Sequence, residues 1–283
     1  MKLGADNLAV GTLFAGRHGH LKRLLEGLAR SGMAPSEVVI VSMGEDLPEE
    51  LPDPGAPVRS VRIEREAGRL PLSRARNEVA RRATAQHLLM LDVDCIPDEA
   101  LLGTAVAFLT EHDAVAMGTV RYLPPGEIAP ERLKSEGAAH PSLPEHPTPG
   151  AVLDPAHFWS LVFAVRRDTM LRRIGGFDES YVGYGGEDTD FALRAQRAEV
   201  PLRWLGGPPA YHQHHETLSP PAQHLETIIR NSKLFRERWG RWPMTGWLTE
   251  FEAREWVAWE PDGDHLELLR KPSPHELEAL KGS

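Results

Sequence analysis

The order in which short apolar runs and helix-spaced segments follow one another constrains this chain more than any single residue does. Residues 8–14 (LAVGTLF) form a first apolar run, and residues 20–29 follow with Leu21, Leu24, Leu25 and Leu28 at the three- and four-residue steps of one helix face. Residues 38–41 (VVIV) form a second run, and residues 58–63 alternate apolar and polar side chains as a further strand. Residues 73–85 read as a helix and residues 87–91 (HLLML) as a buried strand ending at Asp92. Pro97-Asp98-Glu99 is expected to open the next helix, through Leu109, with a strand over 114–120. Alternation of this kind predicts an α/β fold, a mostly parallel central sheet with helices on both faces. Ligands of such sheets bind outside the carboxyl ends of the strands. Asp92-Val93-Asp94 and the loop after Phe14 both fall at such ends.

Residues 121–157 are rich in proline and glycine, show little periodicity and read as a long surface excursion. Strands are expected over 158–165, 201–205 and 210–212, a short helix over 168–173 and a longer one over 221–239. Residues 241–248 form an aromatic-rich corner, and from about residue 260 the chain reads as a small appendage with a terminal helix. A length of 283 residues suits one large domain, or one domain with an appendage. The formal net charge of −9 argues against a nucleic-acid partner, which usually leaves a basic footprint. Cys95 is the single cysteine, so no intrachain disulfide forms and a reducing, cytoplasmic setting is expected. The amino terminus lacks a signal-peptide pattern and no stretch approaches the ~20 apolar residues of a membrane span. A soluble chain is expected, with peripheral membrane contact left open.

The segment GGFDESYVGYGGEDTDFALR, residues 175–194, combines glycines, aromatic residues and five acids. Gly175-Gly176-Phe177-Asp178-Glu179 reads as a tight turn, and Gly183-Tyr184-Gly185-Gly186 as a loop whose backbone can approach a ligand closely. Glu187, Asp188 and Asp190 then fall where acids favour a helix start, with Asp190 placed to pair with Arg194 on the surface. Capping accounts for one acid there but not for the glycine-rich approach to it. Asp92 and Asp94 offer hard oxygen ligands that suit Mg2+ or Mn2+ bound to a diphosphate. Tyr211-His212-Gln213-His214-His215-Glu216 supplies three imidazoles, one of which can complete a coordination begun by Asp94. Arg74 and Arg76 are expected on one side of the helix that follows Ser73, and Arg17 at a strand end and Arg74 at that helix start point toward the same sheet edge, where they can meet phosphates.

Taken together, the loop after the first strand, Leu72-Ser73-Arg74-Ala75-Arg76-Asn77, Leu91-Asp92-Val93-Asp94, and Gly175-Gly176-Phe177-Asp178 running into Gly185-Gly186-Glu187-Asp188 resemble GT-A fold glycosyltransferases. More narrowly, the chain resembles family 2 glycosyltransferases whose C-terminal part is similar to the β-1,4-galactosyltransferases. The resemblance spans roughly residues 8–216. It implies a GT-A domain over 1–216, with a nucleotide-binding half over 1–120 and an acceptor-binding half over 121–216 that carries the long loop 121–157. Residues 217–283 then form a C-terminal helical and aromatic appendage.

By that resemblance Asp94 is the main protein ligand of a divalent cation, Mn2+ or Mg2+, and Asp92 lies near the ribose or a metal-bound water. His212 is the first choice for a further ligand, with His214 and His215 close behind. In the galactosyltransferase pattern a methionine precedes the metal histidine by three residues; here His212 precedes His215 by that spacing. Phe14, Arg17, Arg74, Val93, Gly185 and Gly186 line the nucleotide-sugar site, and Tyr184 takes the place of a tryptophan facing sugar and acceptor. Asp188 matches the general base and Glu187 an acceptor-binding acid. The implied reaction is inverting, metal-dependent transfer of a sugar from a UDP-sugar donor to the hydroxyl of a carbohydrate or other acceptor. A retaining transferase, a nucleotidyltransferase and a catalytically idle nucleotide-sugar-binding module stand as alternatives. Closure of the loop around Tyr181 to Gly186 is one way to bury the base.

Overall fold

A computed structural model describes residues 3–281. Strand β1 (Leu3–Phe14) leads through helix α1 (His18–Arg30) into β2 (Met33–Met43) and β3 (Val58–Ile63). Helix α2 (Leu72–Arg82), β4 (His87–Leu91), the short β5 (Cys95–Pro97) and α3 (Leu101–Glu111) follow. Next come β6 (Val115–Met117), β7 (Val120–Tyr122), α4 (Leu133–Glu136), β8 (Ala138–Ala139) and β9 (Val162–Arg166). Helix α5 (Glu187–Arg197), β10 (Leu202–Trp204) and β11 (Ala210–His212) close the part that carries the expected motifs. The chain ends in α6 (Leu225–Trp239), α7 (Thr245–Ala253), the hairpin β12 (Val257–Trp259) and β13 (Leu266–Leu268), and α8 (Pro274–Ala279).

Seven strands form the central sheet in the order β10-β6-β9-β4-β1-β2-β3. All run in one direction except β9, which is antiparallel to both β4 and β6. Every residue of β4 is buried because helices cover both faces of the sheet. On one face the leucines of α1 pack with Leu101, Ala105 and Leu109 of α3. On the other, Ala75 and Val79 of α2 join Phe191, Ala192 and Ala195 of α5. Gly11 lets α2 sit close, since a side chain there would meet Val79 Cγ1 at 2.1 Å.

Several boundaries differ from expectation, each for a local reason. The segment at Pro97 is a strand end rather than a helix start: β5 pairs antiparallel with β11, and the Asp98 carboxylate caps the following turn through the Ala100 amide. The single strand expected over 114–120 is split, β6 staying in the central sheet and β7 joining a second, four-stranded sheet in the order β5-β11-β7-β8. A side chain at the intervening Gly118 would meet Val162 Cγ1 at 2.5 Å, so the crossing requires glycine. The strand expected from 158 begins only at Val162, after a short 3-10 turn at Pro155–His157. The excursion over 121–157 contributes β7 and β8 to the second sheet and the short α4 beside them.

The C-terminal elements gather their own apolar cluster, in which Leu225 and Ile228 of α6 pack with Trp242, Leu248, Phe251, Trp256 and Trp259. No helix among the described residues is long and apolar enough to cross a membrane.

Candidate active site

The end of β4 places the acids. After Leu91 the chain turns, with the Cys95 amide donating to the Asp92 carbonyl at 2.9 Å, and enters β5. β11 pairs His212 with Cys95, and the Gln213 amide donates to the Asp94 carbonyl at 2.7 Å, extending that pairing by one step. His212 is thereby laid beside Asp94, with its ring 4.9 Å from that of Tyr122 on β7. The strand ends at His212, so the two-residue alternation lapses and the three-residue step to His215 returns to the same side.

The result is a compact donor set. One ligand atom each from Asp94, His212 and His215 lies within 4.8 Å of the others. His212 Nε2 is 3.5 Å from Asp94 Oδ1 and His215 Nε2 is 3.4 Å from Asp94 Oδ2, while the Arg17 guanidinium also contacts Asp94. Burial works to raise the Asp94 pKa, but the His215 hydrogen bond and the charges of His212 and Arg17 outweigh it and hold the carboxyl well below its ordinary range. Burial lowers the pKa of His212 and so favours its neutral form, the one with a lone pair to offer. One buried carboxylate and two imidazoles suit a first-row divalent cation in both charge and ligand type.

His214, expected with His215 close behind His212, is exposed and stands outside this set; its carbonyl lies 3.2 Å from His20 Nε2. Asp92 stands outside it too and faces Arg76, 3.9 Å from its Nη2. Phe14 and Val93 are buried in the core at the strand ends, with Phe14 packed edge-on to His18 at 5.2 Å between ring centroids.

The second acidic group starts α5. The Gly175-Gly176-Phe177 turn is fixed by Asn77 of α2, which receives the Phe177 amide and donates to its carbonyl, both at 2.8 Å. Gly176 is required there, because at φ +73 a side chain would meet Asn77 Oδ1 at 2.5 Å. Glu187 is buried and accepts from the Gly185 amide at 2.9 Å. Asp188 accepts from Ser160 through both oxygens, from the hydroxyl at 2.6 Å and the amide at 3.0 Å. Tyr184 remains 38% exposed, its ring stacked with His224 at 4.8 Å and with Trp247 at 5.9 Å between centroids. Burial raises its phenol, and the charges of Glu187, Asp188 and Asp92 add to that.

Arg76 joins this second group to Asp92. Its guanidinium is buried against the Phe177 ring, 3.7 Å from Glu187, 3.8 Å from Asp188 and 3.9 Å from Asp92. Arg74 lies on the exposed side of α2 and pairs with Glu66 at 3.6 Å rather than with the aspartates, because residues two apart on a helix face nearly opposite ways. The one signal for Arg76 was its spacing: Ser73, Arg76, Asn77 and Ala80 fall at i, i+3, i+4 and i+7 on what the structure shows to be the buried face of α2, although only Ala80 of the four is apolar. Ser160 had none, since a serine inside an expected strand carries no directional information. Asp190 also differs from expectation. It is buried and accepts from Trp239 Nε1 at 2.9 Å and the Tyr181 hydroxyl at 3.3 Å, while Arg194 donates to the carbonyls of Gly176 and Ile174.

The pattern has known counterparts. Residues 17–175 match the glycosyl transferase family 2 model, and residues 147–216 match that of the N-terminal domain of galactosyltransferase. A curated relative, hyaluronan synthase of Pasteurella multocida, is 28% identical over 182 residues, which cover 55% of this chain and 18% of that protein. The chain thus spans about a fifth of the length of the curated relative it matches. Among solved structures, residues 1–349 of S. aureus TarS in complex with UDP-GlcNAc superpose with a TM-score of 0.52 at 16% identity, over 80% of this chain and 65% of that one. GalNAc-T7 with UDP, GalNAc and Mn2+ superposes with a TM-score of 0.54 at 15% identity, over 88% and 57%. At those identities the likeness shows the fold, and it is the GT-A fold expected above.

Proposed function

The chain belongs to glycosyl transferase family 2, and on that premise we propose that it transfers a sugar from a UDP-sugar to an acceptor hydroxyl, with a divalent metal and with inversion at the anomeric carbon. The observation that carries this reading is the presence of two unlike acidic groups: Asp94 set with two histidines, and Glu187 and Asp188 at a helix start, the latter joined through Arg76 to Asp92, two residues from Asp94. Asp94, His212 and His215 would hold Mn2+, which when bound supplies positive charge for the diphosphate as it leaves. The choice of UDP draws on UDP-GlcNAc in TarS and on UDP with Mn2+ in GalNAc-T7.

In this reading Arg17 moves from Asp94 to the diphosphate, where a guanidinium matches phosphate oxygens. Tyr184 supports a sugar face. Ser160 orients Asp188 through both carboxylate oxygens and leaves each a lone pair. As the bond between the anomeric carbon and the diphosphate oxygen breaks, the acceptor oxygen bonds to that carbon from the opposite side. Its proton passes to Asp188, general-base help typically worth ~100-fold to 10,000-fold. Glu187, pushed up to about 7 by burial and by the charge of Asp188, is placed to hold an acceptor hydroxyl.

A panel of UDP-, GDP- and TDP-sugars assayed for manganese-dependent donor turnover tests the activity, and NMR of the product's anomeric configuration tests the stereochemistry. Retained configuration would overturn inversion, and metal-dependent UDP binding without turnover would reduce the protein to a binding module.

A further inference from the structure

The glycine-rich loop that presents Tyr184 and leads into Glu187 is bound from outside by α6. Asn231, fully buried, has its side-chain amide 3.4 Å from the carbonyls of both Val182 and Tyr184. Thr227, one turn earlier, accepts the Tyr184 amide at 3.4 Å and donates to the His224 carbonyl at 2.9 Å. The fit leaves no slack. Gly183 and Gly185 have φ of +82 and +103, and a side chain on either would meet Thr227 Cγ2 at 2.6 Å or Met244 Sδ at 2.8 Å. A buried asparagine with both amide hydrogens directed at one loop is costly to keep unless that loop is in place. Of the loop's backbone groups, the Val182 and Tyr184 carbonyls and the Tyr184 amide have these α6 side chains as partners, while the Gly183 amide donates to the Leu70 carbonyl and the Gly185 amide to Glu187.

We infer that Asn231 and Thr227 are positioning residues: α6 holds the loop over residues 182–186 in the geometry that aims Tyr184, Glu187 and Asp188, so the acceptor side is prebuilt by the C-terminal segment. The inference rests on the proposed transferase reading for what the loop is aimed at, but not for the pinning itself. It also separates the two halves of the site, because the set of Asp94, His212 and His215 makes no use of α6. Loosening the loop should therefore leave metal and nucleotide binding alone.

The test uses the full chain with Thr227→Val, which keeps the packing volume, and Asn231→Ala. Hydrogen–deuterium exchange is read over residues 182–186 and over β4, and the affinity for Mn2+ with UDP is read by calorimetry. Loss of one or two such hydrogen bonds should raise exchange in 182–186 by roughly fivefold to thirtyfold. Exchange in β4 and the affinity for UDP should stay unchanged, and kcat for UDP-sugar turnover should fall. Unchanged exchange in the loop for both variants would overturn the inference, as would a uniform rise across the chain or an equal loss of UDP affinity. Exchange decides the pinning whether or not the wild-type protein turns over a UDP-sugar. An inactive wild type would therefore sink the transferase reading separately.

Discussion

Asp94 and Glu187 are both buried carboxylates, yet their surroundings push them in opposite directions. Asp94 has Arg17, His212 and His215 around it and is held well below its ordinary pKa. Glu187 shares one buried cation, Arg76, with Asp188 and Asp92, and burial together with the charge of Asp188 pushes it up to about 7. The helix start at α5 favours anions, but a helix terminus is worth only about 0.3–1 kcal/mol at ordinary exposure, and desolvation outweighs it. The difference teaches what each side can do. A carboxylate surrounded by donors stays charged and suits a cation; carboxylates short of cations suit the holding and moving of a proton.

The sharpest way to break that contrast is to remove one acid from each side. Asp188→Asn should lower kcat by ~100-fold to 10,000-fold while the affinity for UDP with Mn2+ changes little. Asp94→Asn should abolish Mn2+ binding and, with it, metal-dependent binding of UDP. Calorimetry and steady-state kinetics on the same preparations separate the two; a matching loss of UDP affinity in both variants would erase the distinction.

Next in size is the cation that joins Glu187 and Asp188 to Asp92. Arg76→Met leaves three carboxylates without their shared partner, and breaking a buried pair costs about 3–5 kcal/mol. For a chain of this length that is a fall in Tm on the order of 10 °C. The loss should grow with pH, since Asp92 and Glu187, each pushed up to about 7 mainly by burial, can take up protons at pH 5 but not at pH 8. Thermal unfolding at both values checks the sign.

Glu187→Gln should act the other way. The folded protein holds Glu187 at about 7 against an ordinary 4.5, so its neutral form is the favoured one. Below the unfolded value it carries no penalty; the stability is lost as pH rises through about 7. Glutamine keeps the shape without the charge, so the variant should gain on the wild type between pH 5 and 8, by up to about 3 kcal/mol. An unchanged difference across that range would mean that Arg76 already neutralises the pair.

How much of this was legible follows from where the information sits. The apolar runs over 8–14, 38–41 and 87–91 named the strands because burial on both faces leaves a local composition signal. The acids at 92, 94, 187 and 188 were visible because their residue types are rare in a core. Partners set by tertiary register were not. His215 joins Asp94 because β11 ends at His212, and Arg76 rather than Arg74 faces the acids because of how α2 is rotated against the sheet. The antiparallel insertion of β9 was equally silent, since strand direction leaves no mark on a five-residue apolar segment.

Ser160 shows the same limit on the smallest scale and gives the mildest test. It enters the site on the turn just before β9, and its amide and hydroxyl together occupy both oxygens of Asp188. Ser160→Ala keeps the amide contact and deletes the hydroxyl alone. A hydrogen bond to a charged group is worth about 1.5–3 kcal/mol, so kcat should fall roughly tenfold to hundredfold, with the affinity for UDP and Mn2+ intact. The donor side contains no part of Ser160, so a change in metal affinity would mean that the two sides are coupled through more than Arg76. A fall in kcat equal to that of Asp188→Asn would show that orientation, and not the presence of the carboxylate, sets the rate.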